Sequence, residues 1–204
     1  MPAAIPAPVK VAYTLWLLMW IPVYWIHNGP WNFLWFCDLA NLVLAVALWR
    51  GSSLLLSSQA VGVLLVQVVW CLDLVVRLLF GVHPLGATRY MWEGPEPLFV
   101  RLFSLFHLVV PVLLLWGLSR LGYDRRGLTL QTAISTLVLP ICFLFADPEL
   151  NLNWLWRPFE QPQVWLPPWL YLLFCLAAYP LLLFWPTHWL LGRIFRPPAL
   201  EPPP

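Results

Sequence analysis

The stretch Ser57–Phe80, SSQAVGVLLVQVVWCLDLVVRLLF, decides the fold: in 24 residues only Asp73 and Arg77 carry charge. As a helix rising ~1.5 Å per residue it would be ~36 Å long, more than the ~30 Å hydrocarbon core of a bilayer. A helix that is apolar on every side must be buried on every side, in protein or in lipid. Working outward, five further runs lie between charged residues, glycines and prolines: Val11–Ile26, Trp31–Trp49, Leu98–Leu118, Leu128–Ala146 and Trp165–Leu191. Ser52–Leu56 can extend the run that begins at Ser57. The first run follows Lys10, but the His27-Asn28-Gly29-Pro30 step after it lacks the small-residue pair of a cleavage site, so it reads as a retained span.

The remaining composition agrees. Of 204 residues 61% are hydrophobic and 10% charged, with a mean hydropathy of +0.77, whereas roughly a quarter of a soluble domain is charged. The reading is an all-α polytopic transmembrane helix bundle of six spans, one domain over residues 1–196, with a Pro-rich tail at 197–204 and no internal repeat. A net charge of +2 leaves no electrostatic footprint for nucleic acid. With the N-terminus inside, Lys10, Arg50, Arg120, Arg125, Arg126, Arg193 and Arg196 fall on the cytoplasmic side, against Arg89, Arg101 and Arg157 outside. Positive charge is retained inside, so both termini are placed in the cytoplasm. Compactness and short loops point to a bacterial inner membrane. The two longer outer loops carry Glu93, Glu96, Asp147, Glu149 and Glu160 with Trp92, Trp154, Trp156 and Trp165 as interfacial anchors.

Cys37, Cys71, Cys142 and Cys175 fall one per apolar run, with no CxxC and no Cys/His ligand spacing. No metal site and no cofactor is expected. His27, His83 and His188 lie near span ends, so no pair of imidazoles is expected to hold a haem.

Ionisable groups inside spans are expensive and define the candidate site. They are Asp38, Asp73, Arg77 and His107. Counted from the outer ends of their spans, Asp38, Asp73 and His107 lie at one level, ~10 to 14 Å deep at ~1.5 Å per residue. Asn41 is one turn from Asp38 and joins this expected pocket. Asp73 and Arg77, at i and i+4, can pair on one helix face, and Arg77 can also meet a lipid headgroup or a carboxylate. Asp38 is either a structural partner of Arg77 or the group that orients a catalytic residue. Pro111 leaves the carbonyl of His107 without its helical bond and should kink that turn. His107 is a hydrogen-bonded structural residue, a general base or acid, or a ligand. A nucleophile for it would be Cys37, with Cys71 nearby, or Ser104 on its own helix.

The segments NFLWFCDLANLVL at 32–44 and SLFHLVVPVLLLW at 104–116 resemble paired motifs of a superfamily of polytopic membrane proteins. It includes androgen-induced integral membrane hydrolases, which cleave fatty acid esters of hydroxy fatty acids, and a transmembrane acyltransferase branch. The Asn-rich turn LNLNWLWRP at 150–158 is similar to the acyltransferase branch. The resemblance implies that His107 is the catalytic histidine. The hydrolase threonine corresponds to Trp35, which cannot act as a nucleophile, whereas Cys37 can stand for the acyltransferase cysteine. The enzyme expected on this basis is a lipid acyl hydrolase or acyltransferase with Cys37, His107 and Asp38 as catalytic residues and Arg77, Asp73 and Asn41 around the substrate. Membrane lipid is the expected partner, and a partner subunit or homo-oligomer is left open. The alternatives are a non-enzymatic membrane subunit or scaffold whose polar residues fix helix packing, and a small-solute or lipid transporter.

Overall fold

The computed structural model describes residues 4–198, so the expected tail lies, from Ala199 onward, outside the described residues. Helices account for the regular structure: α1 (Ala7–Asn28), α2 (Phe36–Arg50), α3 (Ser53–Phe80), the short α4 (Tyr90–Glu93) and α5 (Leu98–Leu102), α6 (Phe106–Leu121), α7 (Gly127–Phe145), α8 (Pro168–Ala178) and α9 (Trp185–Ile194). No strand is present among the described residues. A 3-10 turn, Phe103–Leu105, joins α5 to α6, and a π-helical stretch, Tyr179–Phe184, joins α8 to α9. Five continuous stretches are long and apolar enough to cross a membrane: Ala7–Asn28, Ser53–Phe80, Leu98–Leu121, Gly127–Phe145 and Pro168–Ile194. Their outward faces carry large apolar side chains such as Leu18, Leu72, Val112, Leu144 and Leu182, each more than half exposed. On a water-facing surface such a belt would be untenable. The protein is a helical, multi-pass membrane bundle.

The expected second span differs. Trp31–Trp49 is divided by a 3-10 turn, Pro30–Leu34, and an extended Trp35 (ψ 132°), leaving α2 with 15 residues. At ~1.5 Å per residue that is ~22 Å, short of a full hydrocarbon core. Asp38 therefore sits in the first turn of α2 rather than two turns down a span, where the helix dipole favours a carboxylate.

Packing centres on α3, which meets α2, α6, α7 and α9. Ser52 starts it, accepting the Leu55 N–H on its hydroxyl, and Gly81, with a left-handed φ of 75°, ends it. From Leu56 to Leu64 every residue of α3 is buried, and small residues are what make this tight approach feasible. A side-chain carbon added at Gly127 would lie 2.7 Å from Ser57 Cβ and 2.8 Å from the Ser57 backbone. Polar groups line this seam in pairs: Gln59 donates to Gln131 (3.4 Å) and to Ser58 (3.0 Å), and Ser57 accepts the Asp124 N–H at 2.8 Å.

Candidate functional site

At the opposite end of the bundle the helices part around a cavity of about 610 Å3. Its walls are the end of α1, the start of α2, the middle of α3 from Gly62 to Trp70 and the α5–α6 junction, with the 85–96 and 153–160 segments over it. Cys37, Asp38 and His107 all line it.

His107 is fixed by its neighbours. Its ring is stacked against Phe106 (centroids 4.1 Å) and Trp70 (4.5 Å), and Nδ1 lies 2.8 Å from the Ser104 carbonyl oxygen. A carbonyl only accepts, so Nδ1 carries the proton and Nε2 keeps its lone pair. Nε2 has no hydrogen-bond partner among the described residues and is not shut away from free space. The departure from α geometry falls about two turns before Pro111, at the 3-10 turn Phe103–Leu105, and the turn of His107 and Pro111 is itself regular α-helix. The His107 carbonyl freed by Pro111 lies 3.4 Å from Cys71 Sγ, which donates to it. Cys71 thus has a structural task and is unsuited to serve as the nucleophile. Ser104 Oγ is 2.8 Å from the Tyr24 hydroxyl and also lines the cavity.

Asp38 accepts from Asn32 Nδ2 at 2.7 Å and is buried. The group that orients the imidazole is the Ser104 carbonyl, so Asp38 faces the cavity from the other wall without holding His107. The start of α2 is secured by a residue more than a hundred positions away. Asn153 accepts the Phe36 N–H on Oδ1 (2.9 Å) and donates from Nδ2 to the Leu34 carbonyl (2.8 Å), while the Tyr179 hydroxyl donates to the Asn153 carbonyl at 2.5 Å. Asn153 holds a left-handed φ of 51°, one of five non-glycine residues between 151 and 160 in that region. Such backbone persists only where surrounding bonds over-determine it.

The other three expected site residues are elsewhere. Asn41 accepts the Tyr13 hydroxyl at 2.9 Å and donates to the Cys37 carbonyl at 3.1 Å, tying α1 to α2 away from the cavity. Asp73 accepts the Leu85 and Thr88 N–H groups (2.9 and 2.8 Å) and the Thr88 hydroxyl (2.6 Å), with His83 Nδ1 at 3.7 Å. It is the anchor of the 83–88 loop. The expected Asp73–Arg77 ion pair is absent among the described residues, and so is an Asp38–Arg77 pair. Arg77 instead donates to the Gly81 carbonyl at the end of α3 and lies over the Trp92 ring at 5.2 Å. The physical reason is that loop amides satisfy the carboxylate, while a guanidinium in a last helical turn finds free carbonyls.

Gln67 and Tyr90 escaped a search confined to ionisable groups within spans. Gln67 is fully buried beside Cys37, with the thiol within hydrogen-bonding reach and neither amide atom otherwise partnered. Tyr90, in the loop helix α4, lines the cavity and brings a hydroxyl that can donate a hydrogen bond there. No group of three or more His, Cys, Asp or Glu able to hold a metal ion occurs among the described residues. Comparison of this helical membrane protein with protein-family models, curated proteins and solved structures finds no match.

Proposed function

We propose that the cavity is the active site of a lipid acyl hydrolase or acyltransferase in which His107 is the general base and Cys37 the nucleophile. The observation that carries this reading is the imidazole: its tautomer is set by Ser104, and its basic Nε2 is left free beside a cavity that Cys37 also lines. Nε2 and Cys37 form no hydrogen bond among the described residues, so the first step needs Cys37 Sγ brought into reach of Nε2 by the bound ester; Nε2 then takes the thiol proton as sulfur attacks the ester carbonyl carbon. Collapse of the tetrahedral intermediate breaks the C–O bond, and the departing alkoxide takes the proton from His107. The resulting thioester passes its acyl group to water, giving hydrolysis, or to an acceptor hydroxyl, giving transfer. The Tyr90 hydroxyl and the one hydroxyl hydrogen that the Ser104–Tyr24 bond leaves over stand on the walls as donors for the developing oxyanion. The resemblance to the androgen-induced hydrolases and the acyltransferase branch supports the same choice of histidine. The test is turnover of long-chain lipid esters by the purified protein in vesicles: loss of turnover in both His107→Gln and Cys37→Ala is expected, and unchanged turnover in both overturns the reading.

A scaffold reading is favoured by a specific set of contacts. Asn41, Asp73 and Asn153 spend their polar atoms on helix and loop register. For these three residues a structural role is the better assignment, within either kind of protein.

The topology follows from the same geometry. We further propose six crossings: the end of α1 and the start of α2 both line the cavity, which supports Pro30–Arg50 as a short return crossing before α3. The arginines at the far end of the bundle, Arg50, Arg120, Arg125, Arg126 and Arg193, support a cytoplasmic placement of that end and of both termini, as in a bacterial inner membrane. Cysteine accessibility at the 85–96 segment, reactive from the outside only, is the expected result.

A further inference from the structure

A second cavity, of about 550 Å3, lies on the flank of the bundle between α1 and the α5–α6 helix. Its walls run from Phe99 to Leu113 along α5 and α6, and from Val9 to Trp16 along α1. The fourteen rises from Phe99 to Leu113, at ~1.5 Å each, make the α5–α6 wall ~21 Å long, longer than the ~15 Å depth of one hydrocarbon leaflet, and α1 faces the inner ~10 Å of it. The lining is apolar apart from Tyr13 and Trp16, and the Tyr13 hydroxyl is turned away onto Asn41. Both helices belong to membrane-spanning stretches, so the material outside the groove is lipid chain, and its shape suits one extended chain rather than a compact solute.

One side chain lines both cavities: Phe106. One edge of it meets Trp16 and Trp20 at centroid distances of 6.2 and 5.9 Å, while its face is stacked on His107 at 4.1 Å. It directly follows the 3-10 turn, where the helix has the poorest hydrogen bonding of its length. A change of its rotamer or of that turn joins groove to cavity at the level of the imidazole.

We propose that the groove between α1 and α5–α6 is the lateral entrance for the acyl chain of a membrane lipid, and that Phe106 is the movable wall between it and the His107 cavity. This rests on the acyl-ester reading for its purpose, but the route can be tested without turnover. The full chain is reconstituted in phosphatidylcholine vesicles containing a phosphatidylcholine with a diazirine near the ester end of one acyl chain, irradiated, and the labelled residues are read by mass spectrometry. Label on Trp70, Val66 or His107 is the expected result. Ala12→Trp with Val109→Trp places bulk in the groove at two lipid-exposed positions and should lower cavity labelling at least tenfold, whereas Phe106→Ala should raise it at least threefold. Retention of the wild-type elution volume and helical circular dichroism reports that each variant is folded. Cavity labelling that is absent in the wild type, or unchanged in the filled-groove variant, overturns the proposal. If labelling follows the pattern but His107→Gln leaves ester turnover intact, the route stands and the acyl-ester reading falls.

Discussion

Two buried polar regions that follow one another along α3 use similar residues in opposite ways. In the seam between α3 and α7, Gln59 is matched by Gln131 and Ser58, Ser57 holds the Asp124 amide, and glycine brings the backbones together with no room left over. Eight residues along the same helix, Gln67 has only the Cys37 thiol beside it, and in the neighbouring cavity His107 keeps a free nitrogen and about 610 Å3 stands open among Cys37, Asp38 and Ser104. An unpartnered buried amide costs about 1–3 kcal/mol, and a seam that avoids this cost is built for stability. Polarity inside a membrane therefore does not by itself mark a site; polarity left unsatisfied beside free volume does.

The largest effect that tests this contrast is on turnover. His107→Gln should lower ester turnover by about 10²–10⁴-fold, the range of a general base, while leaving thermal stability close to wild type. A variant that loses both would place His107 with the structural residues. Next is the seam itself: Gly127→Leu drives a side chain into Ser57 and should cost about 1–3 kcal/mol by overpacking, read as lowered resistance to unfolding in detergent. Its turnover, measured on the protein that remains folded, should persist.

The sharpest comparison uses one substitution twice. Gln59→Leu strips Gln131 of its partner and should destabilise by about 1–3 kcal/mol, whereas Gln67→Leu removes an amide whose one neighbour is the weakly bonding Cys37 thiol and should not destabilise. Equal signs in the two unfolding curves would dissolve the distinction between seam and site. Asn153→Ala removes the distant cap of α2 and should cost about 1 kcal/mol, with turnover falling further than stability because Cys37 and Asp38 lie in the turn it holds.

The smallest effect concerns pH. The hydrogen bonds from the Arg126 side chain hold the Asp124 carboxyl below the usual carboxylate range. A carboxyl lowered by folding contributes stability that is complete above its unfolded pKa of about 3.9 and is lost as pH falls through the folded value. Thermal stability of the wild type should therefore drop more on acidification below about pH 4 than that of Asp124→Asn, which should start lower and change less.

Sequence periodicity and composition carry the fold a long way, because an apolar run longer than a bilayer is thick has few alternatives. Ser57–Phe80 is legible as a membrane helix for that reason, and Leu128–Ala146, 19 residues and ~28 Å long, matches the core closely and reads the same way. The break at Trp35 is less so: its apolar residues look like the middle of a span, and the turn is held by Asn153 from a different part of the chain. The site shows the same division. The residue types Cys37, Asp38 and His107 stand out in the sequence because ionisable and thiol groups are rare in such surroundings. Helical spacing, however, put Asp73 with Arg77, and only the folded 83–88 loop shows that backbone amides take the carboxylate instead.

The sequence by itself determined that the chain is a helical membrane protein and which few side chains are chemically able to react, since both follow from local composition and the cost of polarity in lipid. Tertiary structure alone decided which of those side chains are spent on each other and which face empty space. Hydrogen-bond satisfaction depends on partners such as Asn153 and Tyr179, whose distance along the chain says nothing of their distance in the fold.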